Sequence, residues 1–235
     1  MQLFYTPEIT SSSKQFTFDK TESRHIIRVL RKNEGDIIYI TNGLGKLFTS
    51  EVIVANDKKC LVNITGIETK IKPWSYYLHI AIAPTKLNDR FEWFLEKATE
   101  IGIDEITPVI CDHSERKVLK TDRMEKIIQS AAKQSLKFHY PKLNEAVTFN
   151  EFIKSKFEGQ LFIAHCEETD KKSLKKELQP NLQTTILIGP EGDFSTKEIK
   201  LSLEHNFIPV SLGESRLRTE TAGVVATHSV AFTNE

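Results

Sequence analysis

From Leu78 to the end of the chain, short apolar runs alternate with longer stretches whose apolar residues recur at helical spacing. The first run, Leu78 to Ala83, is continuously apolar, which is typical of a strand covered on both faces. A helical stripe follows it, with Asn88 or Asp89 as the expected cap and Gly102 just past its end. This alternation predicts βαβ units and a mostly parallel sheet flanked by helices. The stripe consists of Phe91, Phe94, Leu95, Ala98 and Ile101.

The same reading extends along the rest of the α/β region. Apolar β-type runs predict strands, and caps followed by periodic apolar residues predict helices. Further strands are predicted over residues 106–110, 161–164, 185–188 and 207–212, and helices are predicted from near Thr121, after Ser195 and near Thr221.

The first 70 residues have a different pattern, in which short β-rich runs are separated by turn residues. Asn42-Gly43 lies between two such runs and predicts a hairpin, because both central residues of a tight turn need positive φ. The pattern changes around Ile71 to Trp74. We therefore predict a small β domain over residues 1–70 and an α/β domain over residues 73–235.

One helix-like stretch interrupts the β pattern between Phe18 and Asn33. Its apolar residues fall on one side, and Arg24, Arg28 and Arg31 fall on the other. A solvated basic face and an edge that contacts phosphates are both consistent with this arrangement.

Composition bounds the class of protein. The chain has 235 residues, of which 39% are hydrophobic and 27% charged, and this excludes a disordered or low-complexity protein. Its 32 basic residues balance its 32 acidic ones, so a polyanionic partner must be met by a local patch. The start lacks a signal-peptide pattern and no apolar run approaches the length of a membrane span, so we expect a cytoplasmic protein without a membrane partner.

Cysteine and histidine spacing favours neither a disulfide framework nor a metal site. Cys60, Cys111 and Cys166 are odd in number and form no C-x-x-C pair, which indicates a reducing compartment. The seven histidines show no ligand spacing, so we predict no metal. His165 and Cys166 end a predicted strand, where packing or loop residues are more common than a catalytic pair.

The stretch Ile186-Leu-Ile-Gly-Pro-Glu-Gly-Asp-Phe-Ser195 runs from an apolar strand through a glycine loop into a helix. Ser195 and Glu198 predict a capping box. A strand that leads through glycines to a helix places backbone at the carboxyl edge of a sheet, where α/β ligands bind. A plain tight turn is the alternative, and neither a P-loop nor a nicotinamide fingerprint is present.

A second loop of this kind, Ser211-Leu-Gly-Glu-Ser-Arg-Leu-Arg-Thr-Glu-Thr-Ala-Gly223, again follows an apolar strand and opens a helix. Taken alone, such a polar run is usually a loop with Thr219 or Thr221 as cap. Two strand-loop-helix elements close together favour a shared binding site.

A third feature is electrostatic. Between His113 and Lys142 the sequence has eight basic residues and three acidic ones, with Phe138, His139 and Tyr140 interleaved. A solvated helix face explains any single lysine, whereas the run as a whole fits a polyanion better. Its candidate RNA contacts are Arg116, Lys117, Arg123 and Lys137.

These motifs resemble the bacterial 16S ribosomal RNA uridine-N3 methyltransferases of the SPOUT superfamily. Leu187-Ile-Gly-Pro-Glu-Gly192 and Leu212-Gly-Glu-Ser-Arg-Leu-Arg-Thr-Glu-Thr-Ala222 carry the resemblance. Arg24-His-Ile-Ile-Arg-Val-Leu-Arg31 with Gly35-Asp36 is similar to the PUA-like β-barrel domain of that family. Glu96-Lys-Ala-Thr-Glu-Ile-Gly102 resembles the first part of its catalytic domain.

The resemblance implies a deep trefoil knot, a rare exception to the rule that chains avoid knots. It also implies that S-adenosylmethionine binds among three loops near the carboxyl terminus, and that the protein is a homodimer with its active site at the subunit interface. The implied cofactor residues are His165, Ile188, Gly189, Pro190, Glu191, Gly192, Leu212, Gly213, Leu217, Arg218, Thr219, Thr221 and Ala222.

Methyl transfer to N3 of uridine needs an in-line approach and loss of the N3 proton. We assign Arg218 as the cation near the uracil or its phosphate and Glu220 as an orienting or proton-accepting carboxylate; a salt bridge that only shapes the loop is the alternative. The implied substrate is 16S ribosomal RNA in the small subunit. Another SPOUT enzyme acting on a ribose 2′-hydroxyl or a tRNA base, and a non-catalytic RNA-binding factor, are the competing hypotheses.

Overall fold

The computed structural model describes residues 1–167 and 171–235. The chain divides into two compact units. The first contains Met1–Pro73 and Ala132–Tyr140, and the second contains Trp74–Ala131 and Pro141–Glu235. Among the described residues, no helix is long and apolar enough to cross a membrane.

The first unit is built on a five-stranded sheet in the order β1-β3-β4-β5-β2. Its strands pair antiparallel except for β1 with β3. Alternating side chains of the long strands enter one apolar core, which includes Phe4, Ile40 and Phe48. The strands are β1 (Leu3–Tyr5), β2 (Gln15–Thr17), β3 (Ile37–Thr41), β4 (Lys46–Val54) and β5 (Leu61–Thr69).

The helix-like stretch forms α1 (Lys20–Arg24), which continues as one π-helical turn over His25–Val29. Asp19 caps it, since its side chain accepts a hydrogen bond from the Glu22 amide over 2.8 Å. Ile26 is buried in the core of the unit, as the periodicity predicts.

Residues 42–45 connect β3 to β4, so the predicted hairpin forms with a wider loop than the predicted two-residue turn. Gly43 and Gly45 have positive φ, whereas Asn42 does not. The loop is open because a remote segment bonds to it: the Tyr140 amide donates to the Gly43 carbonyl over 2.9 Å, and the Gly45 amide donates to the Phe138 carbonyl over 2.8 Å.

The second unit is built on a sheet in which all the described strand pairs are parallel, and the prediction of a mostly parallel sheet is confirmed. The order is β11-β13-β10-β12-β6-β7-β8, with β9 paired to β7. Its strands are β6 (Tyr77–Ile82), β7 (Glu105–Ile110), β8 (Lys142–Leu143), β9 (Val147–Thr148), β10 (Gln160–Ala164), β11 (Lys172–Ser173), β12 (Gln183–Ile188) and β13 (Ile208–Ser211).

Helices of the second unit cover the sheet with two apolar clusters, as an α/β architecture requires. The last helix packs closely against Phe94 and Ile82 at Gly223. A side chain does not fit there, because a Cβ would lie only 2.6 Å from Phe94 and 2.9 Å from Ile82. The helices are α2 (Asn88–Ile101), α3 (Thr121–Gln134), α4 (Phe149–Phe152), α5 (Leu174–Glu177), α6 (Thr196–Glu204) and α7 (Thr219–Thr233), of which α3 belongs to this unit only as far as Ala131.

The helix ends follow the sequence signals in part. Gly102 ends α2 with a φ of 131°, as predicted. The predicted start of α2 is wrong, because Leu87 holds the capping position without a side-chain bond and Asn88 is already helical. Ser195 and Glu198 form the predicted capping box of α6.

Strands β13, β10 and β12 are neighbours in the sheet and end at the same level. Ala164 is in register with Ile188 on one side and with Val210 on the other. Because the strands are parallel, the three loops that follow them emerge at one edge of the sheet.

Candidate active site

Three loops meet at the carboxyl edge of the parallel sheet. The first follows β10 and is described at His165–Glu167; the second is Gly189–Ser195 after β12; the third is Leu212–Arg218 after β13. The second and third are the two glycine-containing motifs that the sequence singles out. Their predicted convergence is therefore observed.

Two adjoining cavities of about 340 and 270 Å³ lie among these loops. Both are lined by Ala164, Cys166, Arg216, Leu217 and Ala222, so we treat them together as one space, which we call the loop cavity. Its size falls in the range of sites for small organic ligands. Of the predicted cofactor residues, the first cavity also contains His165, Leu212 and Gly213, and the second contains Ile188, Gly189, Pro190, Glu191, Arg218 and Thr219. The remaining lining residues are Lys171, Val210, Ser211, Glu214 and Ser215 in the first cavity and Asp193 in the second.

Two predicted cofactor residues lie outside this lining. Gly192 packs against the loop that follows β7, where a Cβ would lie 3.0 Å from the Cβ of His113. Thr221 lines a different cavity, described below. Sequence reasoning did not select Cys166, Asp193 or Arg216, although each adjoins a predicted residue or motif.

His165 is the most unusual polar residue of the loop cavity. Its side chain is buried, with the residue 7% exposed, and neither ring nitrogen has a hydrogen-bond partner among the described residues. Burial lowers the pKa of His165, and the positive charge of Lys171 lowers it further. The carboxylates of Asp193 and Glu167 raise this pKa, but the net shift is downward. A buried neutral imidazole without a partner is rare in proteins and is suited to bonding a ligand.

Thr219 fastens the third loop to the second. Its hydroxyl donates to the carbonyl of Gly189 over 3.0 Å, and the residue is 5% exposed. The Thr219 hydroxyl thus stabilises the loop cavity. The predicted cap of α7 at Thr219 or Thr221 is wrong, because Arg218 holds the capping position and makes no side-chain hydrogen bond there.

The second loop is also held from the β7 side. The Asp112 amide donates to Glu198 over 2.9 Å, and the Ser195 hydroxyl donates to Asp112 over 2.6 Å. The Lys86 amide donates to the carboxylate of Glu191 over 2.9 Å. The glycine loop is therefore rigidly supported by groups remote in sequence, as a preorganised site requires.

A separate cavity of about 640 Å³, which we call the outer cavity, shares Arg216, Leu217 and Arg218 with the loop cavity. Glu220 lines it and is 7% exposed. One of its oxygens lies 3.9 Å from Arg90 Nε, and the other has no hydrogen-bond partner among the described residues. Asp89, Trp93 and Thr221 complete the lining.

Arg90 and Trp93 were missed by the sequence reasoning. They lie one turn apart on α2, and Trp93 is 42% exposed. The available signal was a large aromatic residue that falls outside the apolar stripe of an amphipathic helix.

The predicted RNA contacts differ in how strongly they are engaged within the chain. Arg28 pairs with Asp57 at 2.7 Å, Arg123 pairs with Glu92 at 2.7 Å, and Arg116 Nη2 donates to the Lys86 carbonyl over 2.6 Å. Burial lowers the pKa of Lys137. Arg24, Arg31 and Lys117 are exposed.

The fold and its loop cavity agree with the family models that match this chain. A family model for the RNA methyltransferase domain matches residues 72–231, and one for the RNA methyltransferase PUA domain matches residues 18–65. The chain is therefore an RNA methyltransferase that carries a PUA domain.

Individual relatives narrow the class. The ribosomal RNA small subunit methyltransferase E of Buchnera aphidicola subsp. Acyrthosiphon pisum is 31% identical over 221 residues, which is 90% of this chain and 86% of the relative. The chain therefore belongs to the ribosomal RNA small subunit methyltransferase E family.

Solved structures agree with this assignment. The structure of a "probable rRNA-methyltransferase" from Porphyromonas gingivalis has 40% identity and a TM-score of 0.92, over 100% of this chain and 98% of that one. The ribosomal RNA small subunit methyltransferase E of Neisseria gonorrhoeae, solved bound to S-adenosyl methionine, has 27% identity and a TM-score of 0.83, over 100% of this chain and 98% of that one.

Proposed function

We propose that this protein transfers a methyl group from S-adenosylmethionine to N3 of a uridine in 16S ribosomal RNA, with the small ribosomal subunit as substrate. The loop cavity is the observation that carries the proposal. It lies among three loops at a parallel sheet edge and contains a buried histidine that has no hydrogen-bond partner in the described part of the chain. The names of the relatives support the RNA and the cofactor.

The residues of the loop cavity fit this cofactor. Ile188, Leu212 and Leu217 supply aliphatic surface for the adenine, and the Gly189 to Glu191 backbone offers polar groups at close approach. We assign His165 as a neutral hydrogen-bonding group toward the bound cofactor. Pro190, Glu191, Gly213, Arg218, Thr219 and Ala222 complete the proposed cofactor contacts in this cavity, whereas Gly192 and Thr221 lie outside its lining.

When bound, the cofactor supplies an electrophilic methyl group on a sulfonium. Forming the bond between N3 and this carbon breaks the bond between sulfur and carbon, and the N3 proton must leave. We assign the Glu220 oxygen that has no hydrogen-bond partner among the described residues as the acceptor of that proton. Arg218 is exposed between the two cavities and makes no ion pair with a described residue, so its charge stabilises the negative charge that develops on the uracil.

The outer cavity is the place for the target base. Trp93 offers an exposed aromatic face on which a base taken out of its stack can lie, and Arg90 lies 3.9 Å from the Glu220 carboxylate in the same cavity. Arg216 and Arg218 are common to both cavities. Because the two cavities share residues of the third loop, a base held in the outer cavity lies next to the loop cavity, from which the methyl group would come.

The first 70 residues serve in this proposal as the RNA-binding PUA-like domain, and residues 73–235 serve as the catalytic domain. Arg24, Arg31 and Lys117 are exposed and can contact phosphates directly. For Arg28, Arg116, Arg123 and Lys137, RNA must share or displace contacts already present within the chain.

Three further features of the resemblance belong to the proposal: a trefoil knot around the loop cavity, a homodimer and a cytoplasmic location, where small subunits are assembled. The homodimer rests on the resemblance, and exposed Phe232 on α7, which stacks on His228, is a residue that such an interface would cover. Light scattering after gel filtration is expected to give twice the chain mass, and a monomer at micromolar concentration would refute the homodimer.

The decisive experiment is methylation of small subunits and of naked 16S RNA with radiolabelled cofactor, followed by mapping of the modified nucleotide. We expect labelled N3-methyluridine at one position, and a label on a ribose or on tRNA would refute the proposed target. Arg218→Ala and Glu220→Ala are expected to lower the transfer rate at saturating cofactor and RNA by at least tenfold. Glu204→Ala, an exposed change on α6, is the matched control. Full rates in both site variants would remove their assignment.

A further inference from the structure

Asp193 has a backbone conformation that residues with side chains seldom adopt. Its φ is 62°, in the left-handed region, and it lies between Gly192 and Phe194 in the second loop. Its amide donates to the Pro190 carbonyl over 2.9 Å, which closes a turn. A non-glycine residue in this conformation needs compensating interactions, and Asp is among the few that tolerate it.

The compensation is provided by the carboxylate. Oδ1 accepts a hydrogen bond from the Phe194 amide over 2.9 Å, and Oδ2 accepts one from the Cys166 amide over 2.7 Å. Cys166 belongs to the first loop, 27 residues earlier in the chain. One side chain thus links the first two loops through short bonds to a charged acceptor, which are stronger than bonds between neutral groups.

The linked groups line the loop cavity. Cys166 and Asp193 both contribute to its wall. His165, whose ring nitrogens have no hydrogen-bond partner within residues 1–167 and 171–235, directly precedes Cys166. Fixing the Cys166 amide therefore fixes the backbone from which the His165 side chain projects. Few other hydrogen bonds hold the first loop among the described residues. In one of them the Lys171 ammonium donates to the His165 carbonyl over 2.9 Å.

We propose that Asp193 is a positioning residue for cofactor binding: its carboxylate holds the first loop in the bound arrangement before the cofactor arrives. This inference rests on the proposed function, since it assigns the loop cavity to S-adenosylmethionine. Its physical basis is preorganisation, because a loop ordered during folding does not have to be ordered again on binding. The left-handed φ of Asp193 is the conformation that lets one carboxylate reach both amides.

Substitutions at position 193 separate backbone strain from the loop link. Asp193→Gly adopts a positive φ without strain but has no acceptor. Asp193→Asn tolerates the conformation, yet its single carbonyl oxygen can serve only one of the two amides. Asp193→Ala has the strain without the acceptor. A purely structural role predicts that glycine is the most stable variant and binds cofactor normally.

The test is calorimetric titration of S-adenosylmethionine into the full chain, with thermal unfolding measured in parallel. We expect Asp193→Gly to raise the Kd about tenfold with little change in melting temperature, and Asp193→Asn to give a smaller rise. Hydrogen exchange of the Cys166 amide in the protein without cofactor is expected to be much faster in Asp193→Gly, and modestly faster in Asp193→Asn because a neutral oxygen is a weaker acceptor than a carboxylate.

A Kd for Asp193→Gly within twofold of the parent, or unchanged Cys166 exchange, would overturn the inference. If the glycine variant fails to fold, Asp193→Asn decides by the same two measurements. Absence of binding to the parent chain would instead refute the proposed function. The two failures are therefore distinguishable.

Discussion

The Thr219 hydroxyl links the second and third loops, so its removal tests how far the loop cavity depends on that bond. The residue is 5% exposed, and Oγ1 donates to the Gly189 carbonyl over 3.0 Å. Valine has nearly the same shape but cannot donate, so Thr219→Val leaves a buried carbonyl without its partner. That loss costs about 1–3 kcal/mol. At about 2–4 °C per kcal/mol for a chain of this size, the expected decrease in melting temperature is about 2–12 °C.

Differential scanning calorimetry of the parent, Thr219→Val and Thr219→Ser checks this value. The serine variant keeps the hydroxyl and loses only a methyl group, so we expect most of the stability to remain. Repeating the scans with saturating S-adenosylmethionine shows whether the stabilisation by cofactor shrinks in the valine variant. Equal melting temperatures for the valine and serine variants would show that the hydrogen bond contributes nothing and would refute the reasoning.

Three other predictions test separate parts of the molecule. Trp93→Ala is expected to raise the KM for small subunits about tenfold, while Trp93→Phe retains most of the affinity, because stacking contributes about 1–3 kcal/mol per base; equal KM values would exclude a stacking role. Gly223→Val is expected to lower the free energy of unfolding by about 1–3 kcal/mol, because its Cβ would lie 2.6 Å from Phe94; urea denaturation measures it. Burial lowers the pKa of His79 below its ordinary value of 6.5, so the unfolded chain binds the proton more readily and stability should fall as pH decreases below about 6.5. His79→Gln should flatten that part of the stability profile.

Local signals in the sequence predict the elements whose determinants are local. The capping box at Ser195 and Glu198 and the left-handed Gly102 at the end of α2 are both observed. The cap proposed at Asn88 or Asp89 is wrong, because the helix starts one residue earlier than its polar residues indicate. A capping motif with a partner three residues away is therefore a more reliable signal than a lone polar residue.

Long-range contacts explain what the pattern could not predict. The tight turn expected at Asn42-Gly43 opens to residues 42–45 because the segment ending at Tyr140 bonds to its backbone. That segment belongs to the first unit although it is remote from it in sequence. In the same way, Arg90 and Trp93 precede Glu220 by more than 120 residues, so the outer cavity has no local signature.

The pH dependence of cofactor affinity tests His165 directly. Burial lowers the pKa of His165 below its ordinary value of 6.5, so the ring is neutral at pH 7. If the neutral ring bonds the cofactor, affinity should be independent of this group above pH 6.5 and should fall below the pKa of His165, by at most tenfold per pH unit for one proton. Titration of the cofactor itself affects every variant equally, so the ratio of Kd values for His165→Asn and the parent isolates the histidine. We expect this ratio to be largest near pH 7 and to approach one at low pH, and a ratio independent of pH would refute the assignment of His165.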